Sequence, residues 1–111
     1  MTTVAISNKY IDVLSALGDL QSAVDLALQR YTIEQITAKV ADLRRRDLAY
    51  RTKYGMEYVA FARRAAAEEG FIEQIERQVS KTWEIDLADW EFCYEGAKDW
   101  TRRLQSILLA S

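Results

Sequence analysis

The sequence predicts an all-α protein, and three observations lead to that prediction. The 111 residues include no proline and only four glycines, so the residues that interrupt helices are nearly absent. Half of the residues are hydrophobic and 29% are charged, a balance typical of a folded domain. Apolar residues recur at spacings of three and four over long stretches, as on one helix face. We expect an antiparallel helical hairpin, or a coiled-coil-like bundle, with a short N-terminal segment and a first helix.

The chain is expected to contain an N-terminal segment and one helical domain. Residues 1–18 form the segment, which is either loose or includes a short strand at 4–6 or 10–13. Residues 19–111 form the domain, a size that suits a single core. Its helices are predicted at about 19–31, 32–54, 56–69 and 71–109.

Local signals set the predicted helix ends. Asp19 precedes an apolar run at helical spacing and is the expected N-cap of the first helix. Thr32 followed by Gln35 is a capping-box pattern, which either starts a second helix or marks a bend. Gly55 is expected to end that helix as its left-handed C′ residue.

Two apolar seams are expected to pack against each other. The first runs over residues 33–54, with Asp47 as its one polar interruption. The second runs over residues 72–108. Gly96 lies inside this last helix, where glycine costs roughly 1 kcal/mol against alanine, and we expect it to allow close approach of another backbone.

The segment from residue 83 to residue 100 carries the strongest functional signal. It holds all three tryptophans, six carboxylates and a single lysine. Aromatic residues are enriched in interface hot spots, and carboxylates attract a basic partner. The predicted partner-binding residues are Trp83, Glu84, Trp90, Glu91, Tyr94, Glu95, Asp99 and Trp100.

A structural interpretation of the same residues stays open. Trp83, Trp90 and Tyr94 fall on the predicted seam, and aromatic residues at helical spacing usually belong to a core. Trp100 lies off the line that Ala97 and Leu104 continue along this helix. Three glutamates share one stripe of the helix, which either meets a basic partner or simply faces water.

The strongest basic run is Arg44, Arg45 and Arg46, which Asp42 and Asp47 flank. We interpret it first as exposed helix surface. Phosphate contact is one alternative, and salt bridges with a partner or with the acidic helix are another.

The composition excludes several functional classes. Histidine is absent, which removes the usual general base, the commonest zinc ligand and every nucleophile–histidine arrangement. No glycine-rich phosphate loop is present. We therefore expect no enzyme, no catalytic residue, no metal and no cofactor. Two carboxylates such as Asp86 and Asp89 could serve as an acid–base pair, but on a helix they are usually solvated surface.

The remaining totals bear on location and partners. A single cysteine, Cys93, cannot form an internal disulfide and indicates a reducing compartment. No long apolar run or signal-peptide pattern is present, so we expect a cytoplasmic protein without a membrane partner. Residues 1–55 hold eight Lys and Arg against six Asp and Glu, a net of +2; residues 56–111 hold seven against eleven, a net of −4. Non-specific nucleic-acid binding by the whole chain is not expected.

Two motifs resemble a known group of proteins. Lys53-Tyr54-Gly55-Met56 is followed by a helix carrying Phe61, and later by Asp89-Trp90-Glu91 and Tyr94-Glu95. Over roughly residues 35–108 this pattern resembles small all-helical prokaryotic proteins that are encoded beside toxin-like proteins and are taken to be antitoxins. The resemblance implies a partner-binding, non-catalytic role. It does not extend to the first 30 residues, and whether those contact operator DNA stays open.

The sequence therefore predicts the antitoxin of a toxin–antitoxin pair, whose acidic aromatic helix covers the basic groove of a nuclease-like toxin. One alternative is a homodimeric helical scaffold or assembly protein. The other is a small DNA-binding regulator that uses the N-terminal segment and the basic run.

Overall fold

A computed structural model describes residues 3–110 and confirms the all-α prediction, since these residues form helices and no strand. Residues 1, 2 and 111 lie outside the described residues, and so do the outer ends of the predicted segments 1–18 and 19–111. The helices are α1 (Asn8–Ala16), α2 (Leu20–Tyr54), α3 (Tyr58–Ala67), α4 (Glu69–Gln78) and α5 (Trp83–Leu109).

The N-terminal segment differs from its prediction. Residues 10–13, one of the two candidate strands, lie inside α1, and residues 4–6 have no regular structure. The apolar residues of α1 follow spacings of three and four, with Tyr10, Val13 and Leu17 on one line. This helical period overrides the single alternation on which the strand was predicted.

α2 is one helix where two were predicted. The Asp19 carboxylate accepts a hydrogen bond from the Ser22 N–H at 3.1 Å, which confirms the predicted N-cap. The predicted boundary at Thr32 is wrong, because α2 contains no glycine or proline and continues through it. The helix ends at Tyr54, and Gly55 follows with φ +70°, the left-handed conformation that was predicted.

The predicted helix 71–109 is divided in two. α4 ends at Gln78 and α5 begins at Trp83. Between them the Ser80 hydroxyl accepts a hydrogen bond from the Thr82 N–H at 3.1 Å, a local bond that replaces a helical one. Val79, placed on the predicted seam, is 40% exposed. The predicted helix 56–69 corresponds to the shorter α3.

The chain divides into two compact units, Met1–Gln35 and Ile36–Ser111. No residue among 3–35 is buried. The second unit contains the core, which α2, α3, α4 and α5 build together. Its larger cluster consists of Tyr54, Phe61, Phe71, Ile75 and Trp90, and its smaller one of Leu43, Cys93 and Ala97, with Trp100 packed against it.

Gly96 has the kind of role that was expected, with a different neighbour. A Cβ added at Gly96 would lie 3.1 Å from Leu43 Cδ1. The close approach is therefore made by a side chain of α2 and not by a backbone. Leu43 is only 3% exposed, so the two helices meet tightly at this point.

Candidate protein-binding face of α5

Trp90, a predicted contact residue, lies in the core. Its side chain is fully buried, and its ring stacks on Tyr54 with 5.7 Å between the ring centroids. Its indole N–H donates a hydrogen bond to Asp47 Oδ1 at 2.6 Å. The core interpretation of this tryptophan is thus the one that the structure supports, and Trp90 is not available to a partner.

The other two tryptophans are partly buried. The Trp83 indole N–H donates to Glu76 Oε1 at 3.0 Å. The Trp100 ring lies against Arg103 and Lys39, with 4.4 and 5.3 Å from the charged groups to the ring centroid. Such cation–π contacts hold a ring in place while one edge stays accessible. Both rings therefore border the surface without projecting from it.

Tyr94 is also partly buried. The Tyr94 ring packs on the Tyr58 ring, with 4.9 Å between the centroids. Lys98 Nζ lies 5.0 Å from the Tyr94 ring centroid. Burial, followed by the charges of Glu91 and Glu95, raises the pKa of Tyr58. These two glutamates therefore lie close enough to the Tyr58–Tyr94 pair to influence it electrostatically.

Asp86 and Asp89, weighed above as an acid–base pair, join α5 to α2. Asp89 accepts hydrogen bonds from Arg46 Nη2 at 2.5 Å and from the Tyr50 hydroxyl at 2.6 Å. Asp86 accepts from Lys53 Nζ at 2.6 Å and from the Tyr54 hydroxyl at 2.5 Å. Each carboxylate thus has one cationic and one phenolic donor, an arrangement that fixes the two helices side by side.

The pKa shifts in this network have local causes. Burial opposes the charge of Asp86, but the hydrogen bonds from Lys53 and Tyr54 outweigh it and lower the pKa of this carboxyl. The hydrogen bond to Asp89, with burial, raises the pKa of Tyr50 to about 12. Burial and the bond to Asp86 also raise the pKa of Tyr54. At neutral pH Asp86 is therefore a charged acceptor, and the two phenols are neutral donors.

The basic run is already engaged by this chain's own side chains. Arg46 pairs with Asp89, which is the predicted alternative of a salt bridge to the acidic helix. Arg45 pairs with Asp42 at 2.5 Å. Arg44 Nη2 donates to Thr101 Oγ1 at 3.5 Å.

The predicted acidic residues lie exposed on α5. Glu95 pairs with Lys98 at 3.8 Å, and Asp99 pairs with Arg102 on the next turn. Glu84 and Glu91 make no ion pair with any residue from 3 to 110. These last two therefore have no cationic partner among the described residues.

Two exposed apolar residues on this side of α5 were not predicted as contacts. Ile85 is 72% exposed and Phe92 is 59% exposed. They lie seven residues apart with Ala88 between them, so the three share one helix face. This spacing of three and four is present in the sequence, but the tryptophan seam on the opposite side is the stronger aromatic signal.

We call this surface the outer face of α5 and define it as Glu84, Ile85, Ala88, Glu91, Phe92, Glu95 and Asp99. Its apolar residues form a row with the acidic residues along one side, and Arg46 of α2 lies 5.8 Å from the Phe92 ring centroid. A shallow depression of about 460 Å³ beside Gly96 continues it towards Trp100 and Arg103. An apolar centre within a polar rim is the usual anatomy of a protein interface.

Comparison with protein-family models, with curated proteins and with solved structures gives no match for this chain. Among residues 3–110, no three Asp, Glu or Cys side chains lie close enough together to hold a metal ion. Within the same residues, no helix has the length and apolar character needed to cross a bilayer.

Proposed function

We propose that this chain is a protein-binding module, the antitoxin of a toxin–antitoxin pair, and that the outer face of α5 covers a basic groove on its toxin. The observation that carries the proposal is the exposure of Ile85 and Phe92 among four acidic side chains. Isolated exposed apolar residues are common, but a row of them within a charged rim is typical of a binding surface.

Charge supports a basic partner. The outer face carries four carboxylates, and two of them, Glu84 and Glu91, form no ion pair within residues 3–110. A surface of one sign attracts the opposite sign and speeds encounter, and it repels other acidic surfaces. The groove of a nuclease-like toxin is basic because it binds phosphates, so such a face would compete with the nucleic acid.

The support beneath the face is part of the proposal. We propose that α2 from residue 36 and α5 form an antiparallel hairpin, with α3 and α4 closing the core. The contacts between α2 and α5 run in opposite order along the two helices: Tyr54 meets Asp86, Tyr50 meets Asp89 and Leu43 lies at Gly96. A surface on a rigid element loses little entropy on binding, which favours affinity.

The contact residues proposed from the sequence change accordingly. Glu84, Glu91, Glu95 and Asp99 stay in the interface, together with the accessible edge of Trp100. Trp83 and Trp90 lie on the opposite side of α5, and Phe92 replaces them as the aromatic contact. The antitoxin assignment itself rests on the resemblance of the Lys53–Met56 and Asp89–Glu95 motifs.

Growth of cells that produce the neighbouring gene's protein tests the proposal. We expect that protein alone to arrest growth, and co-production of this chain to restore it. The Glu84→Lys/Glu91→Lys variant should fail to restore growth, because it reverses the two unpaired charges of the outer face. The matched control is Glu69→Lys/Glu73→Lys, which makes the same change of charge on exposed positions of α4.

Calorimetric titration of the purified pair then measures the apolar centre. Phe92→Ala should weaken binding by at least about 2 kcal/mol if Phe92 is a hot spot. Val59→Ala removes a comparably exposed apolar side chain from α3 and should leave the affinity unchanged. A harmless neighbour, or a pair that does not bind, would refute the antitoxin assignment.

A further inference from the structure

We propose that two copies of this chain associate through their N-terminal units, residues 3–35. This inference does not depend on the proposed function, since it concerns the other unit of the chain. It starts from the absence of any buried residue in that unit, although the unit contains α1 and the first four turns of α2. Short helices gain most of their stability from packing, so helices without a core need a covering surface.

Exposed apolar side chains are numerous in this unit. Seven large ones are between 48% and 78% exposed: Val4, Tyr10, Val13, Leu17, Leu26, Leu28 and Tyr31. They do not all share one face, since Leu26 and Leu28 are two residues apart and point to nearly opposite sides of α2. Leu17 and Leu26 lie together in one groove, which is the part that a single interface can cover.

A groove between α1 and α2 gives the second copy a place to dock. Its volume is about 430 Å³, and its walls are largely apolar. Leu14 and Leu17 form one wall, and Ala23, Leu26 and Ala27 form the other. The small alanines leave room for a larger side chain to enter from outside.

The charges of this groove favour a copy of the same chain over a different protein. Asp19 and Arg30 both line it, and they lie eleven residues apart, about 16 Å along the helix. A second copy related by a two-fold axis presents the same two charges in reverse order, so that Arg30 of each copy can meet the partner's Asp19. Two-fold dimers use one self-complementary patch in this way.

Sedimentation of the full chain tests the proposal. We expect the wild-type protein to sediment as a dimer, at twice the chain mass of 12.8 kDa. Leu17→Glu/Leu26→Glu places a charge on each wall of the groove and should give a monomer. The matched control, Ala16→Glu/Gln21→Glu, adds the same charge at exposed neighbouring positions outside the groove and should remain dimeric.

Two further measurements make each outcome interpretable. All three tryptophans lie in the other unit, so unchanged tryptophan fluorescence shows that the variants keep their core. Arg30→Glu should raise the dimer dissociation constant by at least about tenfold, because the new glutamate of each copy would face Asp19 of the other copy and repel it. A wild-type monomer at tens of micromolar would overturn the proposal, and so would a dimer that survives Leu17→Glu/Leu26→Glu with an intact core.

Discussion

Trp90 and Asp47 form a hydrogen bond between α5 and α2, with 2.6 Å from the indole nitrogen to the carboxylate oxygen. Asp47 interrupts an otherwise apolar seam, and Trp90 occupies the facing seam. The polar residue therefore supplies the acceptor that this core indole needs. A buried indole without an acceptor would lose the hydrogen bond that it makes to water in the unfolded chain.

Replacing Asp47 with alanine should lower the free energy of unfolding by about 1–3 kcal/mol, since the Trp90 N–H is left unsatisfied. Urea titration followed by tryptophan fluorescence measures the loss. Asp42→Ala is the matched control, because Asp42 makes only exposed ion pairs, each worth at most about 1 kcal/mol. Equal losses in the two variants would show that the indole bond contributes nothing.

Asp86 predicts how the fold responds to acid. Its pKa is lowered in the folded chain, so its contribution to stability is complete above the ordinary carboxyl value of 3.8 and disappears as the pH falls through the lower folded value. The wild-type free energy of unfolding should drop below about pH 4, and Asp86→Asn should make that drop shallower. An unaltered slope in Asp86→Asn would contradict the prediction.

Gly96 and Gly70 predict different results for substitution by alanine. A Cβ at Gly70 meets nothing within 4 Å, so Gly70→Ala should stabilise the protein by roughly 0.5–1 kcal/mol through helix propensity. At Gly96 the Cβ would press on the buried Leu43, which offsets that gain. Gly96→Val should destabilise by about 1–3 kcal/mol. Thermal unfolding of Gly70→Ala, Gly96→Ala and Gly96→Val ranks their stabilities. If Gly96→Ala stabilised the protein as much as Gly70→Ala does, the Leu43 side chain would have to move aside freely.

Cys93 should be unreactive in the folded protein. Its side chain is fully buried, and burial together with the charge of Asp89 raises the pKa of the thiol, which suppresses the thiolate. A thiol reagent should label it only as urea unfolds the core. The exposed variant Ser106→Cys serves as the reference and should label rapidly without urea. If Cys93 were labelled without urea as fast as the cysteine at position 106, the core would have to open readily.

The sequence predicted those features that depend on one residue and its near neighbours. The Asp19 N-cap, the Gly55 C′ position and the all-α class follow from short patterns, and the structure confirms them. The break between α4 and α5 was missed because Ser80 and Thr82 bond locally, and no glycine or proline marks the site. Hydrogen bonding by small polar side chains competes weakly with a helix, so sequence alone does not decide the outcome.

The candidate site was predicted only in part, for a geometric reason. An amphipathic pattern shows which residues share a face, but not which of two aromatic faces turns inward. Trp90 and Phe92 are two residues apart and point to different sides of α5, and the structure buries the first and exposes the second. Asp47, on the facing helix, distinguishes the two residues. Its carboxylate accepts a hydrogen bond from an indole N–H, and the phenyl ring of Phe92 has no such donor.

The polar bonds between α2 and α5 also restrict how the protein can be regulated. Arg46 and Tyr50 share Asp89, while Lys53 and Tyr54 share Asp86 one turn away. Sliding one helix along the other by a single turn would exchange these partners, separate Trp90 from Asp47 and drive Gly96 off Leu43. Shear between packed helices, a common route for transmitting signals, would therefore break these bonds in this pair.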